Sequence, residues 1–202
     1  MLRVEQLTIK PLPPLTFSVA AGECLAIEGP SGSGKTRLLR AIADLDPAEG
    51  YVFLNGRERR EMPADHWRLK VRYVASEPGW WAATARQHLK ATPRVEQLVA
   101  ALGLSATHLD QPITQLSTGE RQRLAFARAI ADEPDVLLLD EPTAALDARS
   151  ASLVEGLIRS ELAAKCRIIL VSHNPVEIDR LAEARLLLAP QTTQPAQTGA
   201  SA

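Results

Sequence analysis

Gly29-Pro30-Ser31-Gly32-Ser33-Gly34-Lys35-Thr36 matches the pattern G-x-x-x-x-G-K-[ST] at every fixed position. The run before it, Cys24-Leu25-Ala26-Ile27, is short and apolar and reads as a buried strand. The run after it, Lys35 to Leu45, carries leucine, isoleucine and alanine at helical spacing. Strand, glycine-rich loop and helix in this order are the setting that the pattern requires. The three glycines let the backbone wrap closely, so that successive N–H groups can point at one anion. The loop feeds a helix N-terminus, whose unpaired N–H groups and dipole favour phosphate. In this P-loop Lys35 reaches the β- and γ-phosphates of a nucleotide, and the Thr36 hydroxyl is placed to ligate Mg²⁺.

A length of 202 residues suits one domain with a sizeable core. With 46% hydrophobic and 23% charged residues, the composition is that of a water-soluble globular chain. A formal net charge of −1 gives no basic bias toward nucleic acid. No apolar run approaches the roughly 18 residues of a membrane span. Met1-Leu2-Arg3-Val4-Glu5 lacks a signal-peptide core, so a cytoplasmic location is expected, with any membrane association made through a partner. Cys24 and Cys166 sit beside apolar runs and read as buried thiols rather than a disulfide or a metal site.

Residues 2–9 alternate apolar and polar and predict a strand, as does Leu15 to Val19. A turn at Asp46 to Gly50 precedes a strand over Tyr51 to Leu54, and Asn55-Gly56 marks a hairpin. The opening third thus predicts a small antiparallel sheet beside the P-loop unit. Val71 to Ala75 is a further strand. Residues 84–132 read as helix-rich, with Val95 to Leu102 clearly periodic. Buried strands are expected at Val136 to Leu139 and Arg167 to Ser172, and a last strand at Ala184 to Leu188. Helices are expected from about Asp147 to Ala164 and over Asn174 to Leu181. Pro190 to Ala202, rich in Gln, Thr, Ala and Pro, predicts a disordered tail. Strands alternating with helices around a P-loop predict an α/β fold with a largely parallel sheet covered on both faces.

Leu137-Leu138-Leu139-Asp140-Glu141 has the form of a Walker B strand. A buried strand ending in a carboxylate delivers it to the C-terminal edge of the sheet, where Asp140 can hold Mg²⁺. Glu141 follows and faces the γ-phosphate, placed to orient or deprotonate the attacking water. Leu116-Ser117-Thr118-Gly119-Glu120-Arg121-Gln122-Arg123 resembles the LSGGQ-type signature of ATP-binding cassette (ABC) ATPases, and Leu124 to Ile130 continues that pattern as a helix. Ser117 and Gly119 open this helix, where hydroxyl and N–H groups can meet a second face of the phosphates. Ala145-Leu146-Asp147 is similar to the D-loop of the family, and His173, after the strand ending at Ser172, to its switch histidine.

The resemblance runs from about residue 2 to residue 188. It implies an ABC-type ATPase core with an antiparallel β subdomain and an α-helical subdomain at about 84–132, together forming one ATP-binding domain over 1–189. It also implies a head-to-tail homodimer, each ATP held between Gly29–Thr36 of one copy and Ser117–Glu120 of the other, with Asp147 and the γ-phosphate sensor His173 beside it. A separate integral membrane permease would be the partner, and the chain would lie on the inner face of the membrane through it. The short chain looks similar to compact bacterial ABC ATPases, including those assigned to metal or haem export. A soluble ABC ATPase acting on nucleic acid or ribosomes usually carries two cassettes or a long coiled coil, neither of which is present. A small-molecule kinase would leave the signature, Asp147 and His173 unexplained.

Three positions depart from the family pattern. The Q-loop glutamine, which touches Mg²⁺, falls at Ser76, so that a water fills in, or Glu77 reaches round, or coupling is altered. Leu2 to Pro14 contains no aromatic to stack on adenine, leaving the choice between ATP and GTP open. Thr118 stands where glycine is commoner, with Gly119 kept. After the Q-loop come Trp80 and Trp81, of which one is expected in the core and the other against the membrane partner.

Overall fold

The computed structural model describes residues 1–10 and 12–188, so the tail expected from Pro190 onward lies outside the described residues. Two sheets organise them. The first is antiparallel, in the order β2-β1-β4-β5, built from β1 (Leu2–Thr8), β2 (Leu15–Val19), β4 (Glu49–Leu54) and β5 (Arg57–Glu58). The hairpin turn falls on Asn55 and Gly56, both at positive φ, as a two-residue turn matched to strand twist requires.

The alternation in β1 is not strict. Leu2, Val4 and Leu7 are the buried residues, because the register slips between Val4 and Leu7 at Gln6, which has φ 49°. This bulge brings the Gln6 carbonyl against Gly50, where a Cβ would lie 2.2 Å from the oxygen.

The second sheet is parallel, in the order β6-β7-β8-β3-β9, formed by β3 (Cys24–Glu28), β6 (Val71–Val74), β7 (Val136–Asp140), β8 (Arg167–Val171) and β9 (Ala184–Leu187). Every residue of β7 and of β8 is buried, the mark of strands covered on both faces. Successive residues serve two different cores. Leu137, Leu139, Ile168 and Leu170 pack toward α3 (Pro93–Ala101), α5 (Thr118–Ile130) and α6 (Ala148–Ala163). Val136, Leu138, Ile169 and Val171 pack toward α1 (Lys35–Ile42) and the antiparallel sheet. Cys24 and Cys166 are free and buried, and burial pushes both thiols up to about 12.

A helix not foreseen in the sequence, α2 (Ala64–Lys70), lies between β5 and β6. Only Trp67 of its residues is buried, so no apolar periodicity announces it. With the 3₁₀ turn before it, it finishes α1: the Trp67 indole N–H donates to the Ile42 carbonyl at 2.9 Å, and the guanidinium of Arg59, in that turn, to the Ala41 carbonyl at 2.6 Å. Carbonyls in the last turn of a helix have no partner within it, and here two of them accept from side chains beyond β5. The remaining elements are the short α4 (Thr107–Asp110) and α7 (Pro175–Leu181), with 3₁₀ turns at Arg59–Glu61, Ala85–His88 and Ile113–Gln115.

Register sets the functional edge. Ile27 pairs with Val171, Val171 with Asp140, and Val74 with Leu139. The residues just beyond these pairs leave the sheet at one level. The P-loop, Ser76, Glu141 and His173 therefore converge at its C-terminal edge, where open parallel sheets place ligands.

Candidate functional site

A cleft of about 300 Å³ at this edge is lined by Ser31–Arg37, Ser76, Asp140, Glu141, Val171 and His173. The glycines of the loop are constrained. Gly34, at φ 97°, is the N-cap of α1, and a Cβ there would come to 3.0 Å from the Leu12 side chain. A Cβ at Gly29 would lie 2.9 Å from both the Leu188 carbonyl and Ser33 Oγ. Lys35 is buried, and its ammonium donates to the carbonyls of Gly29 at 2.7 Å and Pro30 at 3.0 Å. Two of its three protons are thereby engaged. Ser33 Oγ is buried without a hydrogen-bond partner among the described residues. A loop with a cation, a helix N-terminus and a spare buried hydroxyl is suited to a polyanion.

Asp140 is almost fully buried at the end of β7. Its Oδ2 accepts from Thr36 Oγ1 at 2.8 Å and from the Tyr73 hydroxyl at 2.9 Å. Burial, then the neighbouring Asp140, push the Tyr73 phenol well above its ordinary range, so it stays a donor. No group of three or more His, Cys, Asp or Glu that could hold a metal occurs among the described residues. One hydroxyl beside one carboxylate is an all-oxygen donor set of the kind Mg²⁺ uses when phosphates and water complete its shell. The residues therefore fit that ion. Ser76 is exposed on the same cleft.

Glu141 is held in the left-handed region at φ 53°, uncommon for a residue with a side chain. Its N–H donates to the Val171 carbonyl at 2.9 Å, and its carbonyl accepts from the buried Gln122 side chain at 2.9 Å. Oε2 accepts from the His173 backbone N–H at 3.3 Å. Oε1 lies 3.4 Å from His173 Nε2, an ion-pair distance without hydrogen-bond alignment, and is left buried without a hydrogen-bond partner. Glu141 can thus take a proton at Oε1 while its backbone stays fixed.

Ser117, Gly119, Glu120 and Asp147 do not line this cleft. Ser117 and Glu120 cap α5 reciprocally: Glu120 N–H donates to Ser117 Oγ at 3.2 Å, and Ser117 N–H to Glu120 Oε2 at 2.8 Å. The Ser117 backbone N–H, then its hydroxyl, hold the Glu120 carboxyl below the usual range. Asp147 caps α6 by accepting from Ser150 N–H at 2.9 Å, which lowers its carboxyl likewise. A Cβ at Gly119 would meet Leu146 at 3.3 Å and the Ala145 carbonyl at 3.4 Å, so the signature and the D-loop form one neighbouring surface. The candidate residues of one chain therefore fall on two separate surfaces.

The tryptophans divide. Trp80 is partly buried against the core, whereas Trp81 is 79% exposed. The Arg128 guanidinium lies over both rings, 4.4 Å and 5.2 Å from their centroids, and donates to the Gly79 carbonyl. His88 Nε2 accepts from the N–H groups of Trp81 and Ala82, which fixes the loop. A groove of about 440 Å³ runs past Trp81, Arg128, Arg72 and Val95.

Tyr73 and Gln122 hydrogen-bond to Asp140 and Glu141, and Glu177 to the neighbouring Thr143 and Ser172, without having been marked as candidates by the sequence. Gln122 stands inside the quoted signature stretch, and a lone amide on the buried face of α5 was its only signal. Tyr73 and Glu177 gave none.

Residues 12–144 match the sequence pattern of the ABC transporter family. The chain belongs to that family, and its fold is that of an ABC ATPase cassette. It is 35% identical to the cytochrome c biogenesis ATP-binding export protein CcmA of Rhodobacter capsulatus, with 98% of this chain and 92% of that protein aligned. It is 34% identical to protein STAR1 of Oryza sativa subsp. japonica, over 85% of this chain and 53% of that protein. With the molybdenum import ATP-binding protein ModC of Aromatoleum aromaticum it shares 38% identity, over 82% of this chain and 48% of ModC. The chain thus spans about half the length of the latter two relatives. Among solved structures, the ATP-binding subunit of an ABC transporter superposes with a TM-score of 0.84 at 23% identity, covering 93% of this chain and 85% of that one. The cassette MJ0796, dimeric and bound to ADP and Pi, gives 0.80 at 24% identity, covering 93% and 94%. No helix among the described residues is long and apolar enough to cross a membrane.

Proposed function

We propose that this chain is the ATP-hydrolysing subunit of an ABC transporter, working as a head-to-tail homodimer that drives a separate membrane permease. The observation that carries this reading is the division of the candidate residues between two surfaces of one chain, the P-loop cleft and the Ser117–Glu120 and Asp147 surface. A second copy, turned about a two-fold axis, brings one surface of each kind together twice. The dimeric state of the MJ0796 cassette supports dimerisation.

In this reading the N–H groups of Gly29, Ser31, Gly32, Ser33 and Gly34 cradle the phosphates, Pro30 shapes the loop without donating, and Lys35 reaches the terminal phosphates. Thr36 and Asp140, with Ser76 nearby, would hold Mg²⁺, which would neutralise charge on the phosphates. Glu141 orients the attacking water and takes its proton, and His173 meets the γ-phosphate. Ser117, Gly119 and Glu120 of the second copy close the other side, beside Asp147. The helical stretch at about 84–132 moves as a subdomain carrying this surface. Hydrolysis then separates the two copies, and the permease converts that separation into transport. The relatives CcmA and ModC, an export and an import protein by name, support a transporter role.

Turnover per subunit should rise with protein concentration, and Ser117→Arg should lower it about a hundredfold, the worth of one lost donor to a developing anion, with nucleotide binding retained. A strictly monomeric preparation that hydrolyses at full rate, with Ser117→Arg equally active, would remove the dimer from the reading. Trp81 and the Arg128 groove are the surface offered to the permease, so the chain sits on the cytoplasmic side of a membrane through that contact. Trp81→Ala should keep basal hydrolysis and lose the membrane protein that copurifies with the wild type. Unchanged copurification and coupled hydrolysis would reject Trp81 as an anchor.

A further inference from the structure

Glu177 is 1% exposed, on α7, one turn past His173. Its Oε1 accepts from the Thr143 hydroxyl at 2.9 Å, and its Oε2 from the Ser172 hydroxyl at 2.6 Å. Thr143 is two residues after Glu141, and Ser172 immediately precedes His173. His173 in turn donates its backbone N–H to Glu141. The path from Glu141 through Thr143, Glu177, Ser172 and His173 therefore returns to Glu141, a ring closed by three hydrogen bonds and two short stretches of backbone. Two loops that leave different strands, β7 and β8, are tied at the back by a carboxylate that does not line the cleft. Ser172 Oγ also accepts from Asn174 N–H at 3.0 Å, which anchors the same loop to the start of α7. Burial, opposed by the two hydroxyls, raises the Glu177 carboxyl above its usual range. A carboxyl buried this deeply is costly unless it is hydrogen-bonded, and here both oxygens accept from a hydroxyl.

We propose that Glu177 is a positioning residue for hydrolysis, fixing the loop of Glu141 and the loop of His173 in one relative geometry. This rests on the roles given to Glu141 and His173 above. Glu177 touches neither nucleotide nor water. It acts by keeping the carboxylate and the imidazole from drifting apart by the ångström or so that costs an orientation-dependent step dearly. The nucleotide contacts of the P-loop lie on another strand, so binding is left alone.

The experiment compares Glu177→Ala, Glu177→Gln, Thr143→Val and Ser172→Ala for kcat, KM for ATP and thermal denaturation, in the full chain. Glu177→Ala should lower kcat between about tenfold and a hundredfold with KM unchanged within about twofold. Glu177→Gln should restore most of kcat, since its amide can accept from Ser172 and donate to Thr143 Oγ. Thr143→Val and Ser172→Ala each delete one hydroxyl, so each should show a smaller loss of kcat at constant KM even if Glu177→Ala fails to fold. In the Thr143→Val/Ser172→Ala pair the losses should combine non-additively. The proposal is overturned if the variants lower only the melting temperature, with kcat at wild-type level in those that fold. It is overturned as well if KM rises while kcat holds. Glu141→Gln is run alongside. If that control also retains full turnover, the reading of the site itself has failed; if it is inactive while the Glu177 series is not, only the present inference has.

Discussion

Glu141→Gln is expected to bind ATP as the wild type does and to turn it over about a thousandfold more slowly, within the range that a lost general base produces. The substitution keeps size and shape. The amide can still accept the His173 N–H through its oxygen, and the backbone remains pinned by Val171 and Gln122. What is lost is the ability to accept a proton at Oε1, the oxygen the fold leaves buried and unpaired. With binding intact and hydrolysis stopped, the closed dimer should accumulate. Size-exclusion chromatography with ATP should show the variant at twice the subunit mass where the wild type does not persist. Turnover within about twofold of wild type would remove Glu141 from the role of base.

Lys35→Ala should act on the other half of the reaction. The loss of the one charge-assisted hydrogen bond that the third ammonium proton can give to phosphate, about 1.5–3 kcal/mol, corresponds to at least about tenfold in affinity. Titration with a fluorescent ATP analogue measures this directly. Lys35 also ties the loop together through the Gly29 and Pro30 carbonyls, so a melting curve must accompany the titration. Wild-type affinity in a folded Lys35→Ala protein would reject the role given to this residue. The two variants separate cleanly: one loses binding, the other loses the chemical step.

The opposite expectations follow from where each residue sits. Lys35 opens α1 directly after the glycine loop, so the role proposed for it is legible from eight consecutive residues. Asp140 and Glu141 were legible as the end of an apolar run, a local pattern with a chemical consequence once the strand is buried. Ser117 was legible as a helix start, and the capping pair with Glu120 bears out that local reading. Short-range signals of this kind rest on backbone geometry and periodicity, which neighbouring residues dictate.

Longer-range features were not legible. The bulge at Gln6 depends on the approach of Gly50 from another strand. Helix α2 depends on Trp67 reaching the end of α1, a contact across 25 positions. Tyr73 meets Asp140 across 67 positions, and Glu177 meets Thr143 across 34. No local pattern encodes such distances, because each is set by strand order and register rather than by the chain nearby.

The amino-acid sequence by itself determined the family, the α/β alternation and the identity of the phosphate loop and its acidic strand. Tertiary structure alone decided that β8 lies between β3 and β7, and so that His173 meets Glu141. It also decided that the signature and Asp147 stay off the cleft of their own chain. The physical reason is that a motif fixes its own backbone conformation, whereas the distance between two motifs follows from which strands pair and which faces they bury.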